Sequence, residues 1–316
     1  MKERFYSFNN YLKGVFGQRV HRLSLDAGFS CPNLDGTLGS SGCIYCNNRG
    51  FSRYAYTDTA LESQIEESIK FYNKRYGVKK FIAYFQAFTN TYASMENLSQ
   101  AYEVIRRYPQ IVGLTISTRP DCVNEEKIKL ISQYSKDYLV WIEYGLGSTQ
   151  EHLLRAINRN HSYQDFLKAL KLARSYGVNV GVHLILGLPS QTHSEMLEDA
   201  KRLASLDIQG IKFHVLHVLK DTPLEKMYQS KKVNLLAKEE YVKAAADFLE
   251  RIPQSFVILR LVSDAPAQYL VAPSWINRKQ EAIEAIKKEL EKRGTYQGYY
   301  LKNSLQKHES ISCKNQ

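Results

Sequence analysis

Residues 31–46 read Cys31-Pro-Asn-Leu-Asp-Gly-Thr-Leu-Gly-Ser-Ser-Gly-Cys43-Ile-Tyr-Cys46 and hold three of the five cysteines of a 316-residue chain. The segment directly follows a strand candidate at Val20–Leu25, and its three glycines let the backbone turn tightly around a bulky group. Soft thiolates select iron–sulfur clusters, zinc or copper(I). The stretch therefore predicts a long metal-binding loop after the first strand.

The number of thiolates in this loop distinguishes between metals. Zinc normally takes a fourth Cys or His nearby, whereas Cys122 and Cys313 lie far along the chain. Three cysteines on a [4Fe–4S] cluster leave one iron open, and that iron can bind the amino and carboxylate groups of S-adenosylmethionine. The residues favour this cluster, and zinc or unliganded thiols stay open as alternatives.

Short apolar runs alternate with amphipathic stretches on the C-terminal side of this loop. The predicted strands are Val20–Leu25, Phe81–Gln86, Ile111–Ser117, Tyr138–Leu146, Val178–Leu186 and Gly210–His217, with Val257–Val262 either a seventh strand or a crossover. The predicted helices are Leu61–Tyr76, Met95–Arg107, Asn124–Tyr134, Gln150–Ile157, Ser162–Tyr176, His193–Ser205 and 277–293. This order indicates βαβ units and an α/β barrel, full or partial, rather than an open doubly wound sheet.

The bulk composition limits the class of protein. Apolar residues make up 44% of the chain, the net charge is +11 and the pI is about 9.2. A protein this basic often binds a polyanion such as nucleic acid, although a merely basic surface would give the same numbers. We find no long apolar run and no secretion signal, so we expect a cytoplasmic protein without a membrane span. The sequence does not determine the oligomeric state.

Four further motifs accompany the cysteines, each at the predicted end of a strand or in the helical region after the fourth strand. They are Ser117–Asp121, Glu143–Ser148, Ala156–His161 and Leu186–Pro189. Together with the eleven-residue gap after Cys31 and with Tyr45 before Cys46, they resemble the radical S-adenosylmethionine (radical SAM) superfamily. Within it they resemble the branch of the elongator catalytic subunit and its bacterial single-domain YhcC/YtqA (MnmL)-like family. Asn160 stands where that branch usually has glycine.

The resemblance implies a fold, a domain plan and a reaction. We expect a partial TIM-type (β/α)6 barrel over residues 1–225 with the cluster loop at 31–46, a C-terminal helical extension at 226–293 and a flexible tail at 294–316. Cys31, Cys43 and Cys46 would hold a [4Fe–4S] cluster that cleaves S-adenosylmethionine to a 5′-deoxyadenosyl radical. A flavodoxin- or ferredoxin-type protein would supply the electron. The implied substrate is tRNA, at the C5 side chain of the wobble uridine.

The resemblance also implies residues that bind S-adenosylmethionine, which are Tyr45, Gln86, Asn90, Ser117, Arg119, Glu143, Gly187 and Pro189. Gly187 and Pro189 fit a tight turn close to the adenine. Two of them have competing interpretations. Arg119 would pair with the methionine carboxylate, or else with Asp121 on the surface. Glu143 would hold a ribose hydroxyl or face the sulfonium, or else form a buried salt bridge with Arg119 or Lys212.

Glu143, Lys212 and His214 are the candidate catalytic residues. Lys212 and His214 are two apart on a strand and so share a face, which we expect to be the barrel lumen. His183 is interpreted as a core histidine and Cys122 as an inert thiol.

The candidate RNA-contacting residues are basic or aromatic and lie near the two ends of the chain. They are Arg4, Lys13, Arg19, Arg22, Arg278, Lys279, Lys287, Lys288, Lys292, Arg293, Tyr296, Tyr299 and Tyr300. Two rival functions stay open, a radical SAM enzyme acting on a small molecule or peptide and a zinc-stabilised RNA-binding module.

Overall fold

The computed structural model describes residues 3–50 and 52–301, which form a curled parallel sheet with helices outside it. The strands are β1 (Val20–Leu25), β2 (Lys80–Phe85), β3 (Ile111–Thr118), β4 (Leu139–Gly147), β5 (Asn179–Leu186), β6 (Gly210–Val215), β7 (Val218–Leu219), β8 (Val257–Arg260) and β9 (Leu270–Ala272). Seven of them pair in the order β1-β2-β3-β4-β5-β6-β8, all parallel, while β7 and β9 form a small antiparallel pair. The predicted partial barrel is confirmed, with Val257–Arg260 as its seventh strand.

The helices follow the strands in the expected alternation. They are α1 (Phe8–Phe16), α2 (Leu61–Tyr76), α3 (Met95–Glu103), α4 (Glu125–Gln133), α5 (Glu151–Ala156), α6 (Tyr163–Ser175), α7 (His193–Ala204), α8 (Pro223–Gln229), α9 (Lys238–Leu249) and α10 (Lys279–Lys292). Several begin at a side-chain cap, as at Ser162 and Thr192, where the hydroxyl accepts a backbone N–H of the first turn. The predicted helix Met95–Arg107 is α-helical only to Glu103 and ends in a 3₁₀ turn.

Successive side chains of β4 alternate between two faces of the sheet, an outer face packed against the helices and an inner face that lines the lumen of the barrel. Val140, Ile142 and Tyr144 are buried in the main hydrophobic core between sheet and helices. Trp141 belongs instead to a second cluster with Phe8 of α1. This separation follows from the two-residue period of a strand, which sends alternate side chains to opposite faces of the sheet.

The N-terminal end of the lumen is closed by aromatic packing. The Trp141 ring makes edge contacts with Phe8 and Tyr11 of α1, with ring centroids 6.0 and 5.7 Å away. The Trp141 indole has room because it lies against Gly181 of β5 and Gly210 of β6, where an added Cβ would be 3.7 and 3.1 Å from the ring. Trp141 and α1 therefore form the floor of the lumen, and the opposite end is left for the loops.

The structure changes two parts of the predicted domain plan. The boundary at residue 225 falls inside α8, and the segment after it supplies β8 to the barrel sheet instead of only packing against it. Residues 294–301 are not a loose tail, because Thr295 hydrogen-bonds Glu250, and Gln297 hydrogen-bonds the Pro253 and Phe256 carbonyls. Residues 302–316 lie outside the described part of the chain.

None of the helices in the described ranges combines the length and the apolarity that a bilayer crossing requires. The cytoplasmic location stays a prediction.

Candidate cofactor and substrate cavity

A cavity of about 1350 Å³ extends from the cysteine loop into the barrel lumen. The three cysteines of the loop, Cys31, Cys43 and Cys46, line it at one end. Titratable side chains of β1, β5, β6 and β8 line the cavity deeper in the lumen. Its position agrees with the rule that functional groups of such barrels lie at and beyond the C-terminal ends of the strands.

Nitrogen donors surround the cysteine sulfurs. Arg159 Nη1 lies 3.3 Å from Cys43 Sγ, Asn33 Nδ2 lies 3.6 Å from the same sulfur, and Asn48 Nδ2 lies 3.8 Å from Cys46 Sγ. Hydrogen bonds to the sulfurs stabilise metal-bound thiolates and tune their reduction potential. The surroundings of these thiols therefore suit thiolates that bind a metal cluster.

Residues 157–161, here called the clasp, hold the cysteine loop in place. Asn158 donates from Nδ2 to the Gly42 carbonyl at 2.6 Å, and Asn33 returns a bond to the Asn158 carbonyl at 2.7 Å. Asn160 donates to Asn33 Oδ1 at 2.6 Å. Asn158 and Asn160 both have left-handed backbones, with φ of 53° and 52°. Asparagine is one of the few residues besides glycine that tolerates this conformation, so it can replace the usual glycine at position 160.

Arg119 supports the clasp and does not present a free fork to a ligand. Its guanidinium binds the Asp121 carboxylate through two bonds of 2.9 and 2.7 Å and donates to the Arg159 and Asn160 carbonyls at 2.9 and 3.1 Å. The side chain is 2% exposed. The alternative interpretation, an ion pair with Asp121, is therefore the one that the structure shows, with Arg119 buried and Asp121 reaching the surface.

The charges around the sulfurs fit an anionic cluster. Burial disfavours the charge on Arg159, but neighbouring Tyr45 and Cys43 outweigh burial and raise the pKa of its guanidinium. Burial also raises the pKa of the Cys46 thiol, and Cys43 and Cys31 add to the rise. Three thiolates this close need a cation, and Arg159 supplies only one positive charge. The donor set therefore suits a [4Fe–4S] cluster, whose irons would balance the remaining charge.

The zinc alternative finds no support in the described residues. Among them, no three His, Cys, Asp or Glu side chains stand close enough together to hold one metal ion. In a [4Fe–4S] cluster each thiolate binds a different iron, so the sulfurs stand farther apart than around a single zinc.

Glu143 occupies the centre of the lumen and is completely buried. Lys212 Nζ and His183 Nε2 lie 2.9 and 2.6 Å from Oε2, and Tyr84 donates to the same oxygen at 3.0 Å. Arg22 Nη2 lies 2.9 Å from Oε1, although without the alignment of a hydrogen bond. Burial alone would raise the pKa of Glu143, but Arg22 and Lys212 outweigh burial and hold it well below its usual range.

Burial lowers the pKa values of the basic groups around Glu143, whereas it would raise the pKa of the carboxylate. Burial, with Arg260 and Arg22 nearby, lowers the pKa of Lys212 to about 7 despite Glu143. Burial and Lys212 lower the pKa of His183 to about 3, so His183 is neutral and donates from Nε2 to the carboxylate. His214 contacts Arg260 Nη2 through its ring, and burial lowers its pKa well below the usual range. Lys212 and His214 therefore both face the lumen, as their spacing predicts.

The remaining predicted ligand-binding residues divide into two groups. Tyr45, Gln86 and Ser117 line the cavity beside the cysteines. Asn90 does not, because its side chain lies behind Ser117 and bonds the Ala87 and Ser117 carbonyls. Gly187 and Pro189 also lie outside the cavity lining; Gly187 has φ of 81° and its Cα packs against Leu236. The turn after β5 is tight, as predicted, but its close neighbour in the structure is Leu236.

The structure brings five residues to the site that sequence reasoning did not assign to it. They are Arg22, Tyr84, Arg159, His183 and Arg260. Arg159 lies inside the quoted motif Ala156–His161, so that motif was the available signal. Arg22 and His183 sit at inward positions of their strands, but only the curl of the sheet shows that these positions meet. His183, interpreted from the sequence as a core histidine, is bonded to Glu143, and its ring also lines the cavity. Cys122 is buried, as the inert interpretation expects.

Comparison with known proteins agrees with this architecture. The model of the radical SAM superfamily matches residues 39–203, and that of the Radical_SAM C-terminal domain matches residues 208–292. YtqA of Bacillus subtilis is 37% identical over 95% of this chain and 93% of its own length. YhcC of Escherichia coli is 33% identical over 91% of this chain and 92% of its own length.

Two archaeal proteins are more distant. The tRNA uridine(34) acetyltransferase of Methanocaldococcus infernus is 25% identical over 64% of this chain and 37% of its own length. The structure of Elp3 from the same organism, with residues 1–46 deleted, superposes with a TM-score of 0.63 at 20% identity, over 88% of this chain and 64% of that one. The second match supports the fold alone.

A parallel half barrel with a three-cysteine loop at the C-terminal end of its first strand defines an enzyme that works through an iron–sulfur cluster and S-adenosylmethionine. The matched family models and relatives identify the superfamily and the family to which this architecture belongs. The chain belongs to the radical SAM superfamily and, within it, to the elongator-like YhcC family. Its cofactors are a [4Fe–4S] cluster and S-adenosylmethionine.

Proposed function

We propose that this radical SAM enzyme modifies tRNA at the C5 side chain of the wobble uridine, in the manner of carboxymethylaminomethyluridine being trimmed to aminomethyluridine. The observation that carries the proposal is a strip of arginine and tyrosine side chains on the β1 side of the cavity. We call Arg19, Arg49, Arg53, Tyr56 and Tyr76 the arginine–tyrosine strip.

The cofactor end of the cavity has residues for each part of the chemistry. Cys31, Cys43 and Cys46 would hold the cluster, with Arg159 and Tyr45 hydrogen-bonding Cys43. When bound, the two cofactors supply a 5′-deoxyadenosyl radical that abstracts a hydrogen atom from the substrate. The chain's own residues orient the ligands and exclude water from the buried lumen. A flavodoxin- or ferredoxin-type protein is the expected electron donor.

The strip has the composition of a surface that binds single-stranded RNA. Arg49 lies over the Tyr56 ring and Arg19 over the Tyr76 ring, both 5.3 Å from the centroid. Tyr56 and Tyr76 are 62% and 44% exposed. Arginines neutralise phosphates and exposed rings stack with splayed bases, which is how proteins usually read RNA loops. An anticodon loop on the strip would bring one of its bases to the cavity.

Several of the basic residues that the sequence predicted to contact RNA form ion pairs within the protein. Arg22 faces Glu143 in the lumen, so it is not a surface residue. On α10, Lys279 pairs with Asp264 and Arg293 with Asp247 and Glu289. The charges of that helix are largely matched within the protein, which favours the interpretation of α10 as a solvated helix face. In the strip Arg53 also pairs with Glu67, at 3.3 Å, whereas Arg19 and Arg49 lie over exposed tyrosine rings, so these two arginines are the better candidates for RNA binding.

The name of one relative points in the same direction. The archaeal tRNA uridine(34) acetyltransferase, matched over 64% of this chain, is named for the wobble position of tRNA. Its similarity extends over 204 residues of this chain and supports the same target nucleoside here. The acetyl transfer in its name is not proposed for this chain.

The test is a deletion strain whose tRNA nucleosides are quantified by mass spectrometry. We expect carboxymethylaminomethyluridine to accumulate and aminomethyluridine-type nucleosides to fall, with recovery by the wild-type gene but not by Cys43→Ala. Unchanged wobble nucleosides, together with no tRNA affinity at low salt, would contradict the proposal and favour a small molecule or peptide as substrate.

A further inference from the structure

The side chains inside the lumen do not balance in charge. Among the described residues, three basic side chains, Arg22, Lys212 and Arg260, extend into it from β1, β6 and β8, against the single buried carboxylate of Glu143. His183 and His214 are neutral, because burial lowers both pKa values. Asp264 also lines the cavity, but it is 46% exposed and pairs with Lys279. Arg22 and Arg260 alone outnumber this carboxylate, so the lumen holds an excess of positive charge whether or not Lys212 is protonated.

Arg260 shows most clearly that the cations of the lumen lack a negatively charged partner among the described side chains. Its Nη2 contacts only the ring nitrogens of His214, and its Nε is buried without a hydrogen-bond partner among the described residues. The Nε and Nη2 of Arg22 are likewise buried without aligned acceptors. Buried arginines are normally paired with an acid, because an uncompensated buried charge is strongly unfavourable. Arg22 Nη2 is ion-paired with Glu143 Oε1 at 2.9 Å, but Arg22 Nε and Arg260 Nε have no acceptor among the described residues, and both side chains line the same cavity as Lys212.

We propose that Arg22, Lys212 and Arg260 form a subsite that binds the carboxylate at the tip of the substrate side chain. The inference rests on the proposed function, in which the modified uridine carries such an acid. Guanidinium groups recognise carboxylates through a planar pair of donors, and two arginines with a lysine would match the four lone-pair sites of one carboxylate. Glu143 holds Lys212 and Arg22 in place and leaves the excess charge for the ligand.

The depth of this layer explains why the ligand is a side-chain acid and not a phosphate. Glu143 lies two residues below Gly145 on β4, and the Gly145 carbonyl accepts from Arg159 Nε beside Cys43 at 3.0 Å. The subsite is therefore about 7 Å below the cysteine end along the strand. Trp141 closes the lumen beneath it. Backbone phosphates of an RNA would stay at the strip, while a slender side chain can reach this depth.

The experiment compares nucleosides that differ only in the acid. The cluster-loaded protein with S-adenosylmethionine is titrated with 5-carboxymethylaminomethyluridine, its methyl ester and 5-aminomethyluridine. We expect the acid to bind at least about tenfold more tightly than the ester in wild type, equivalent to about 1.4 kcal/mol. Arg260→Met should abolish that preference and Arg260→Lys should restore part of it. Arg155→Met, at an exposed arginine of α5, is the matched control.

Two further readouts separate this subsite from a structural role and from the methionine carboxylate. Arg260→Met removes an unpaired cation, so its unfolding temperature should be equal to or higher than that of wild type, whereas a structural arginine would lower it. Its affinity for S-adenosylmethionine should be unchanged. A lower unfolding temperature, or a lost affinity for S-adenosylmethionine, would overturn the inference.

A simple probe distinguishes failure of the inference from failure of the proposed function. Acetate, compared with acetamide at constant ionic strength, should raise the unfolding temperature of wild type but not of Arg260→Met. Stabilisation by acetate without nucleoside binding would support the subsite and contradict the wobble-uridine substrate. Equal binding of acid and ester, with no effect of acetate, would overturn the subsite and leave the wobble substrate intact.

Discussion

Glu143 shows how one side chain can serve structure and function at once. Its carboxylate accepts hydrogen bonds from Tyr84, His183 and Lys212 and is contacted by Arg22. The buried salt bridge predicted with Lys212 is present, and the one predicted with Arg119 is not, because Arg119 is committed to Asp121 and the clasp. A carboxylate bound by this many partners positions the basic side chains around it. Its role toward S-adenosylmethionine stays a prediction.

The residue Cys43 provides the most direct test of the cluster site. Cys43→Ala removes one thiolate and leaves Arg159 without its sulfur acceptor, so the anaerobically reconstituted protein should lose the brown iron–sulfur absorbance. Production of 5′-deoxyadenosine with dithionite should fall to background. Cys122→Ala, at a buried cysteine that does not line the cavity and whose thiol lies 3.9 Å from Asp121 Oδ1, is the matched control and should keep both signals. A Cys43→Ala protein with full iron content would argue against the assignment.

Lys212 makes stability depend on pH in a defined direction. Its pKa is about 7 in the folded protein, against about 10.5 in the unfolded chain, so unfolding takes up a proton between these values. Stability therefore rises with pH across this window, by at most about 1.4 kcal/mol per unit. The free energy of unfolding of wild type minus that of Lys212→Met should increase between pH 7 and 9.

This increase is measured by chemical denaturation at each pH. Lys171→Met, at an exposed lysine of α6, should give a constant difference from wild type. A constant difference for Lys212→Met as well would show that Lys212 stays charged.

At the scale of the element, β4 runs from the floor of the lumen, past the charged side chains around Glu143, to the end of the cavity that holds the cysteines. Trp141, Glu143 and Gly145 follow one another on its inner face, each two residues further toward the loops. Gly145 has to be small, because a Cβ there would lie 2.6 Å from Arg159 Nη2. The glycine thus lets Arg159 reach both the Gly145 carbonyl and Cys43 Sγ. The strand β4 therefore determines the order in which the floor, the charged side chains and the cysteines follow one another along the cavity.

The clasp is the element whose rigidity should determine how firmly the cluster is held. Arg119→Lys keeps the positive charge but loses the planar fork that joins Asp121 to the Arg159 and Asn160 carbonyls. We expect the reconstituted variant to bind iron but to release it several-fold faster to a chelator, measured by the decay of the iron–sulfur absorbance. Arg155→Met changes an exposed arginine close to the same loop and should release iron at the wild-type rate. Equal rates for all three proteins would show that the clasp does not control cluster retention.

At the scale of the whole molecule, the chain closes its lumen at one end and leaves it open at the other. The α1 helix packs under Trp141, and Ser7 bridges to Ile258 at the opposite edge of the sheet. The segment beyond residue 225 adds β8 and with it Arg260. The binding cavity is thus completed by both ends of the chain, so its charge could not be counted from the central motifs alone.

The arginine–tyrosine strip makes a prediction at this scale. Replacing Arg19, Arg49 and Arg53 together by Gln should weaken tRNA binding and flatten its dependence on salt by about three units of log–log slope, roughly one per lost phosphate contact. The measurement is filter binding over a range of potassium chloride. The cleavage of S-adenosylmethionine without tRNA should be unaffected. The same number of changes at Arg278, Lys287 and Lys288 of the α10 region is the control, and an equal loss there would show that the charge effect is non-specific.

The sequence by itself determined the elements, the class of fold and the cysteine loop. Apolar periodicity and caps are local properties, so strands such as Val20–Leu25 and helices such as Leu61–Tyr76 match their predicted bounds. The cysteines and four motifs were enough for the superfamily. Turn chemistry is local too, which is why the tight turn at Gly187 was predicted. What that turn faces is not a local property: its close neighbour is Leu236, and its contact with S-adenosylmethionine stays a prediction.

Only the tertiary structure decided which side chains meet. Arg22, His183 and Arg260 are more than a hundred residues from one or both of the others and share no motif, yet the curl of the sheet turns them toward one lumen. Arg119 looked like a ligand-binding fork until its Asp121 and clasp partners were in place. Partners across a barrel are set by strand register and sheet curvature, which depend on the packing of all seven strands together. Side-chain pairing, and the charge left over from it, therefore had to be read from the folded chain.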